Sequence, residues 1–164
     1  MITALVIALV VVLFVAIVAI RRARVLDSYH RRLEKSERLL ELALARRAGA
    51  AVALARSAAL EPQRAKALLR AAQAPEKTAT FTAKMLCETE LSAQIDGALA
   101  ELQTREGVLV KELKVRCLQT KYIRTMHNAT AVRCKQLENT RLARWLKLSG
   151  SVKTRTANFA DTNE

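Results

Sequence analysis

From Ile2 to Ile20 every side chain is apolar except Thr3, and the first charge along the chain is Arg21. At about 1.5 Å per residue, a helix of that length reaches across the roughly 30 Å hydrocarbon layer of a bilayer. The pattern predicts a transmembrane anchor over residues 1–20, in contact with the lipid bilayer through residues 2–20. A cleaved signal peptide would have a basic leader, an apolar core of about 7–15 residues and a small-residue cutting site. Here the core is longer, and a cut near Ala16 or Ala19 would leave arginines at the new terminus. Arg21, Arg22 and Arg24 follow the run directly, and Arg31, Arg32 and Lys35 come soon after. Basic flanks stay on the cytoplasmic side. The expectation is therefore a single-pass chain in the cell membrane, with its amino terminus outside and the rest in the cytoplasm.

Beyond Arg21 the apolar spacing is helical. No Gly or Pro occurs before Gly49, and Leu26, Leu33 and Leu40 recur every seven residues. Leu44, Ala51 and Leu54 carry a small-residue stripe onward, and the alanine-rich stretch Ala48 to Ala59 invites the close approach of a neighbour. One helix is expected from Arg21 to about Ala59, continuous with the anchor. Pro62 suits the first turn of a second helix, whose apolar strip is Ala65, Leu68, Leu69 and Ala72. Pro75 marks a second break. Thr78, Thr80 or Thr82 is then placed to cap a third helix from about Ala79 to Gln103. Its inward residues are expected to be Phe81, Met85, Leu86, Leu91, Ile95, Ala98 and Leu102, with Gly97 weakening it by about 1 kcal/mol.

A last helix is expected from about Glu106 to Leu148. Leu109, Leu113, Cys117, Thr120, His127, Ala131, Cys134, Leu142 and Trp145 lie on one side of it. Ser149-Gly150-Ser151 would stop it, and the tail beyond has no period. The chain thus divides into a transmembrane anchor (1–20), a helical-bundle domain (21–148) and an irregular carboxy-terminal tail (149–164). The fold class is all-α, one transmembrane helix continuing into an antiparallel bundle of long helices.

Composition supports this class. Aromatic residues make up 4% of the chain, with only 4 glycines and 2 prolines, a mix that favours helices over sandwiches and barrels. The formal net charge of +13 lies wholly outside the anchor and attracts anionic headgroups, nucleic acid or acidic protein surfaces. Nucleic acid is disfavoured: no zinc-finger spacing or reader motif occurs, and there are too few aromatics to stack bases. Phosphate-cradling glycine loops do not occur in the sequence either.

Candidate chemistry is sparse. Cys87, Cys117 and Cys134 cannot all pair within the chain and show no CxxC spacing, which fits reduced thiols. His127 shares the inward face with Cys117 and Cys134, but intervals of ten and seven residues do not suit zinc. A thiol served by His127 would lack any glycine-rich oxyanion turn. No catalytic, cofactor-binding or metal residues are expected, and no enzyme. Arg124 and Glu138 also fall within the apolar stripe, about 21 Å apart along the helix and so unable to pair. Burial of Arg124 would call for a carboxylate from another helix, such as Glu88 or Glu90; a small rotation of the helix would instead let both Arg124 and Glu138 reach water.

The order of parts resembles one known family. A membrane helix precedes Leu26-Asp27-Ser28-Tyr29-His30-Arg31-Arg32-Leu33 and an alanine-rich continuation. Cys87-Glu88-Thr89-Glu90-Leu91 follows, then Lys121-Tyr122-Ile123-Arg124-Thr125-Met126-His127-Asn128, and finally Arg144-Trp145-Leu146-Lys147-Leu148. This resembles the LemA family of bacterial membrane-anchored helical proteins, and more closely an actinobacterial LemA-like branch. His127-Asn128, then Ala131, stand where the family carries a Tyr-Asn pair and a small apolar residue. The resemblance implies a bundle of long helices, an external amino terminus and no established catalysis. The expected function is interaction or scaffolding at the membrane with protein partners, possible anionic lipid contact and no nucleic acid. The alternative is a structural stalk or coiled-coil subunit of a membrane complex.

Overall fold

The computed structural model describes residues 1–57, 59–75, 80–102, 107–138 and 157, and among these the chain is all-α. Helix α1 runs Ile2–Arg56, α2 Pro62–Gln73, α3 Phe81–Glu101 and α4 Val108–Glu138. The apolar run and the Leu/Arg segment form one unbroken helix: it contains no Pro and only one Gly, Gly49, and the Val and Ile of the first twenty residues lower propensity without breaking it. Pro62 opens α2, where its missing N–H costs nothing. Thr80 caps α3, its Oγ1 accepting from the Ala83 N–H at 3.3 Å. Thr78 lies outside the described residues, as do Leu142, Trp145 and Ser149-Gly150-Ser151.

The chain falls into two compact units. One comprises Met1–Ser36 with the described part of Asn128–Thr156; the other comprises Glu37–His127 and Ala157. In the first, Leu26 and Leu33 of α1 cluster with Ala131 and Cys134 of α4, flanked by Tyr29 and Leu137. The Arg32 guanidinium stands 5.6 Å from the centre of the Tyr29 ring, one turn away on the same helix.

In the second unit, α1 contributes Ala51 and Leu54 to a core that also holds Leu68, Leu91, Ile95 and Leu113. The alanine-rich stretch is spent here: Ala48, Ala50, Ala55 and Ala59 pack against this cluster. Leu40, Leu44, Met85 and Ala157 form a further cluster, with Ile123 against it. Antiparallel pairing of α2 with α3 is fixed at the α2 start, where the Glu61 N–H donates to Glu101 Oε1 at 2.9 Å. Arg64 Nε lies 3.6 Å from the same carboxylate, so a negative charge at the end of α3 faces the positive start of α2. The Thr120 hydroxyl of α4 reaches the Ala43 carbonyl at 3.3 Å, while Val110 and Leu113 join Ala51 and Leu54. Here α4 therefore runs antiparallel to α1.

Leu86 departs from expectation, being 68% exposed. It precedes Ile95 by nine residues, two and a half turns, and so points the opposite way. Met85 takes the inward place.

Gly97 packs where the Arg64 side chain crosses α3. A Cβ there would stand 2.7 Å from Arg64 Nη1, the mobile end of a half-exposed side chain. Gly97→Ala is expected to displace that guanidinium cheaply and to raise stability by up to about 1 kcal/mol through helix propensity. Leu91→Ala, in the fully buried core, is expected to cost about 2–5 kcal/mol. Denaturant melts of the detergent-solubilised chain check both. A destabilised Gly97→Ala would mean that Arg64 is held in place.

Candidate functional site

Four features rise above a plain helical scaffold. The first is the start of α1. Its large apolar side chains are exposed on all sides: Leu5 is 70% exposed, Val10 60%, Phe14 67% and Ile20 53%. The helix is long and apolar enough to cross a membrane. Such a sleeve in water is a liability that a soluble helix avoids by burying at least one face.

The second feature follows directly. Arg24, Asp27, Ser28, Arg31, Arg32 and Lys35 line a shallow depression on the next turns of α1. Asp27 bonds Arg31 at 2.9 Å, an exposed i,i+4 pair worth a few tenths of a kcal/mol. The remaining cations leave the surface strongly basic.

The third is an ion pair buried in the second unit. Arg47 and Glu88 are 2% and 1% exposed. Arg47 Nη2 donates to Glu88 Oε2 at 2.5 Å and to the Glu88 carbonyl at 3.4 Å, and Nη1 donates to Ser92 Oγ at 3.1 Å. The Ser92 hydroxyl lies 3.0 Å from the same Glu88 carbonyl. Arg124 is half-buried, so the burial that would call for one of these carboxylates is incomplete; Glu88 is engaged by Arg47, and Glu90 is exposed beside Gln94. The Glu138 side chain lies outside the described residues. Arg47 was not among the expected site residues, although its spacing carried a signal. It falls seven residues after Leu40 and seven before Leu54, on the buried stripe of α1.

The fourth is the outer face of α4. Its inner stripe follows the sequence reading: Leu113, Thr120, His127, Ala131 and Cys134 are buried, and Leu109 and Cys117 partly so. Lys111, Lys114, Lys121, Arg133 and Lys135 are exposed. Val115, Leu118 and Tyr122 are exposed too, at 49%, 51% and 67%, and lie outside the inward stripe that the sequence predicts. Their signal was a second set of apolar positions at spacings of three and four.

Cys87, Cys117 and Cys134 are not disulfide-linked, and among the described residues no group of three or more His, Cys, Asp or Glu is placed to hold a metal ion. His127 is buried in the second unit, and Cys134 is buried in the hydrophobic cluster of the first.

Removing one member of the Arg47–Glu88 pair strands a buried charge, so Arg47→Met or Glu88→Leu alone is expected to cost about 3–5 kcal/mol. The double substitution is expected to be neutral, or more stable by about 1–4 kcal/mol, because neither desolvated charge remains. A double-mutant cycle on unfolding free energy checks this. Additive losses would show that the pair does not interact as its geometry implies.

No family model, no curated protein and no solved structure matches the chain. A functional reading therefore rests on the sleeve, the basic turns, the buried pair and the outer face of α4.

Proposed function

We propose that this chain is a single-pass membrane protein of the LemA-like kind. Its helical bundle has an interaction or scaffolding role at the cytoplasmic face of the cell membrane and carries no catalytic machinery. The observation that carries this reading is the exposed apolar sleeve of α1 ending at Arg21, Arg22 and Arg24. Leu, Ile, Val and Phe near a span centre each favour insertion by roughly 0.3–0.6 kcal/mol. The fourteen such residues from Ile2 to Ile20 would together favour the bilayer by about 4–8 kcal/mol. The three arginines then hold the following residues on the cytoplasmic side by the same rule that governs other single spans. Anionic headgroups would lie next to these arginines and add about 1 kcal/mol for each cation near the surface.

Docking is favoured over a stalk because α2, α3 and α4 fold back against the last turns of α1 in the second unit. A stalk would keep its helices in one line. The bundle also buries its polar side chains in mutual bonds, as Arg47, Glu88 and Ser92 do, rather than directing them into a cleft.

Alkaline carbonate extraction of membranes tests the anchor. The native chain is expected in the pellet, and Val10→Arg with Val11→Arg, which costs about 5–7 kcal/mol at the span centre, in the soluble fraction. A native chain extracted by carbonate would overturn the reading. A carboxy-terminal tag is expected to resist protease in intact cells and to be cut after lysis. Digestion in intact cells would place the bundle outside.

A further inference from the structure

Helix α4 has two working faces. Opposite its buried stripe, Val108, Val115 and Tyr122 repeat at seven-residue intervals, and Lys111, Leu118 and Thr125 repeat three residues later. All six are exposed, with Val108 at 82% and Tyr122 at 67%. Four of the six are apolar, Lys111 and Thr125 at the ends of the second set being polar, and two positions in every seven make the narrow seam of a short coiled coil rather than the broad face of a helix lying on lipid. The seam lies within the second unit and spans about 26 Å along the helix axis.

We infer that this seam docks an amphipathic helix of another protein whose flank carries acidic residues opposite Lys114 and Lys121. The inference rests on the interaction role proposed above but not on the membrane anchor. Lys114 and Lys121 are the exposed residues immediately before Val115 and Tyr122, the flanking position that chooses partners in paired helices. The other flank is nearly neutral. Glu112 is engaged by Arg116 at 3.3 Å, and the same guanidinium bonds Gln119 at 3.2 Å.

Charge decides the occupant. In an antiparallel pair of two copies, Lys114 and Lys121 would face the same lysines. In a parallel pair they would face Gln119 and Met126, five residues on, and gain no opposite charge. A chain of formal charge +13 is repelled by its own copy in either arrangement. An acidic helix satisfies both the seam and its flank, with Tyr122 as the large central anchor.

The test uses the full chain in detergent and two labelled synthetic peptides. Both carry leucine at the seam positions; one has glutamate and the other lysine on the flanks. Fluorescence anisotropy is expected to show at least tenfold tighter binding of the glutamate peptide. Leu118→Glu should weaken that binding at least tenfold, and Lys114→Glu with Lys121→Glu should reverse the preference. Equal binding of the two peptides, or a preference unmoved by the charge reversal, would overturn the inference. So would a detergent-soluble dimer that Leu118→Glu dissociates, which would make the occupant a second copy. A Tyr122→Trp, Trp145→Phe chain in nanodiscs should keep its fluorescence when brominated phosphatidylglycerol replaces the normal lipid; quenching would assign the seam to lipid instead. Because the peptide arm works in detergent, its failure leaves the carbonate and protease results standing, and theirs leaves it standing.

Discussion

The register of the second unit turns on one buried ion pair, Arg47 with Glu88. The unit's core is built of leucine and alanine, side chains whose near-uniform shapes say little about which turn of one helix should meet which turn of the next. Sliding α3 by a heptad along α1 would still set leucine and alanine against leucine and alanine. It would, however, take Glu88 and Ser92 away from Arg47 and leave a desolvated guanidinium among apolar atoms. That penalty is several kcal/mol, while the apolar mismatch of a slipped Leu/Ala interface is small. We read the pair as a register device. It adds little to stability and a great deal to uniqueness, the role best attested for polar groups placed in helical seams.

This also explains what could be read from the sequence and what could not. Helices α1 to α4 were legible because period and punctuation agree: Pro62 at a first turn, Thr80 at a cap, and an inward stripe on α4 traceable from Leu109 to Cys134. Helical phase would have rejected Leu86, half a circle from Ile95, but apolar character alone drew it inward. Arg47 was missed for a different reason. Its position on the Leu26–Leu33–Leu40–Leu54 stripe called for burial, whereas its charge argued against it, and only a carboxylate on another helix settles that conflict. Which carboxylate meets which arginine is tertiary information, so helical spacing alone could not show that Glu88 belongs to Arg47.

Polar groups inside the bundle are handled consistently. Thr120 has its hydroxyl 2.9 Å from the Arg116 carbonyl and 3.3 Å from the Ala43 carbonyl, so a small side chain lets α1 and α4 approach closely and still satisfies its oxygen. Ser92 does the same beside Arg47. Small and hydroxyl-bearing residues are what close helix packing requires when aromatics are only 4% of the chain. The price is a thin core, and a thin core leaves more of each helix outside.

That surplus surface gives α4 its second face. A long helix in a bundle of low aromatic content buries one stripe, and the opposite stripe is free to carry another pattern without cost to folding. Had that stripe been only solvated, lysine, glutamate and glutamine would serve there, as they do at Lys114, Gln119 and Lys121. Val115, Leu118 and Tyr122 do not serve solubility, and three large apolar residues on adjacent turns are more than scattered exposure. A seam of five turns is too small for a permanent interface by itself. On the proposed reading, a seam held at a bilayer with its partner in the same plane would need less area, because confinement would supply effective concentration.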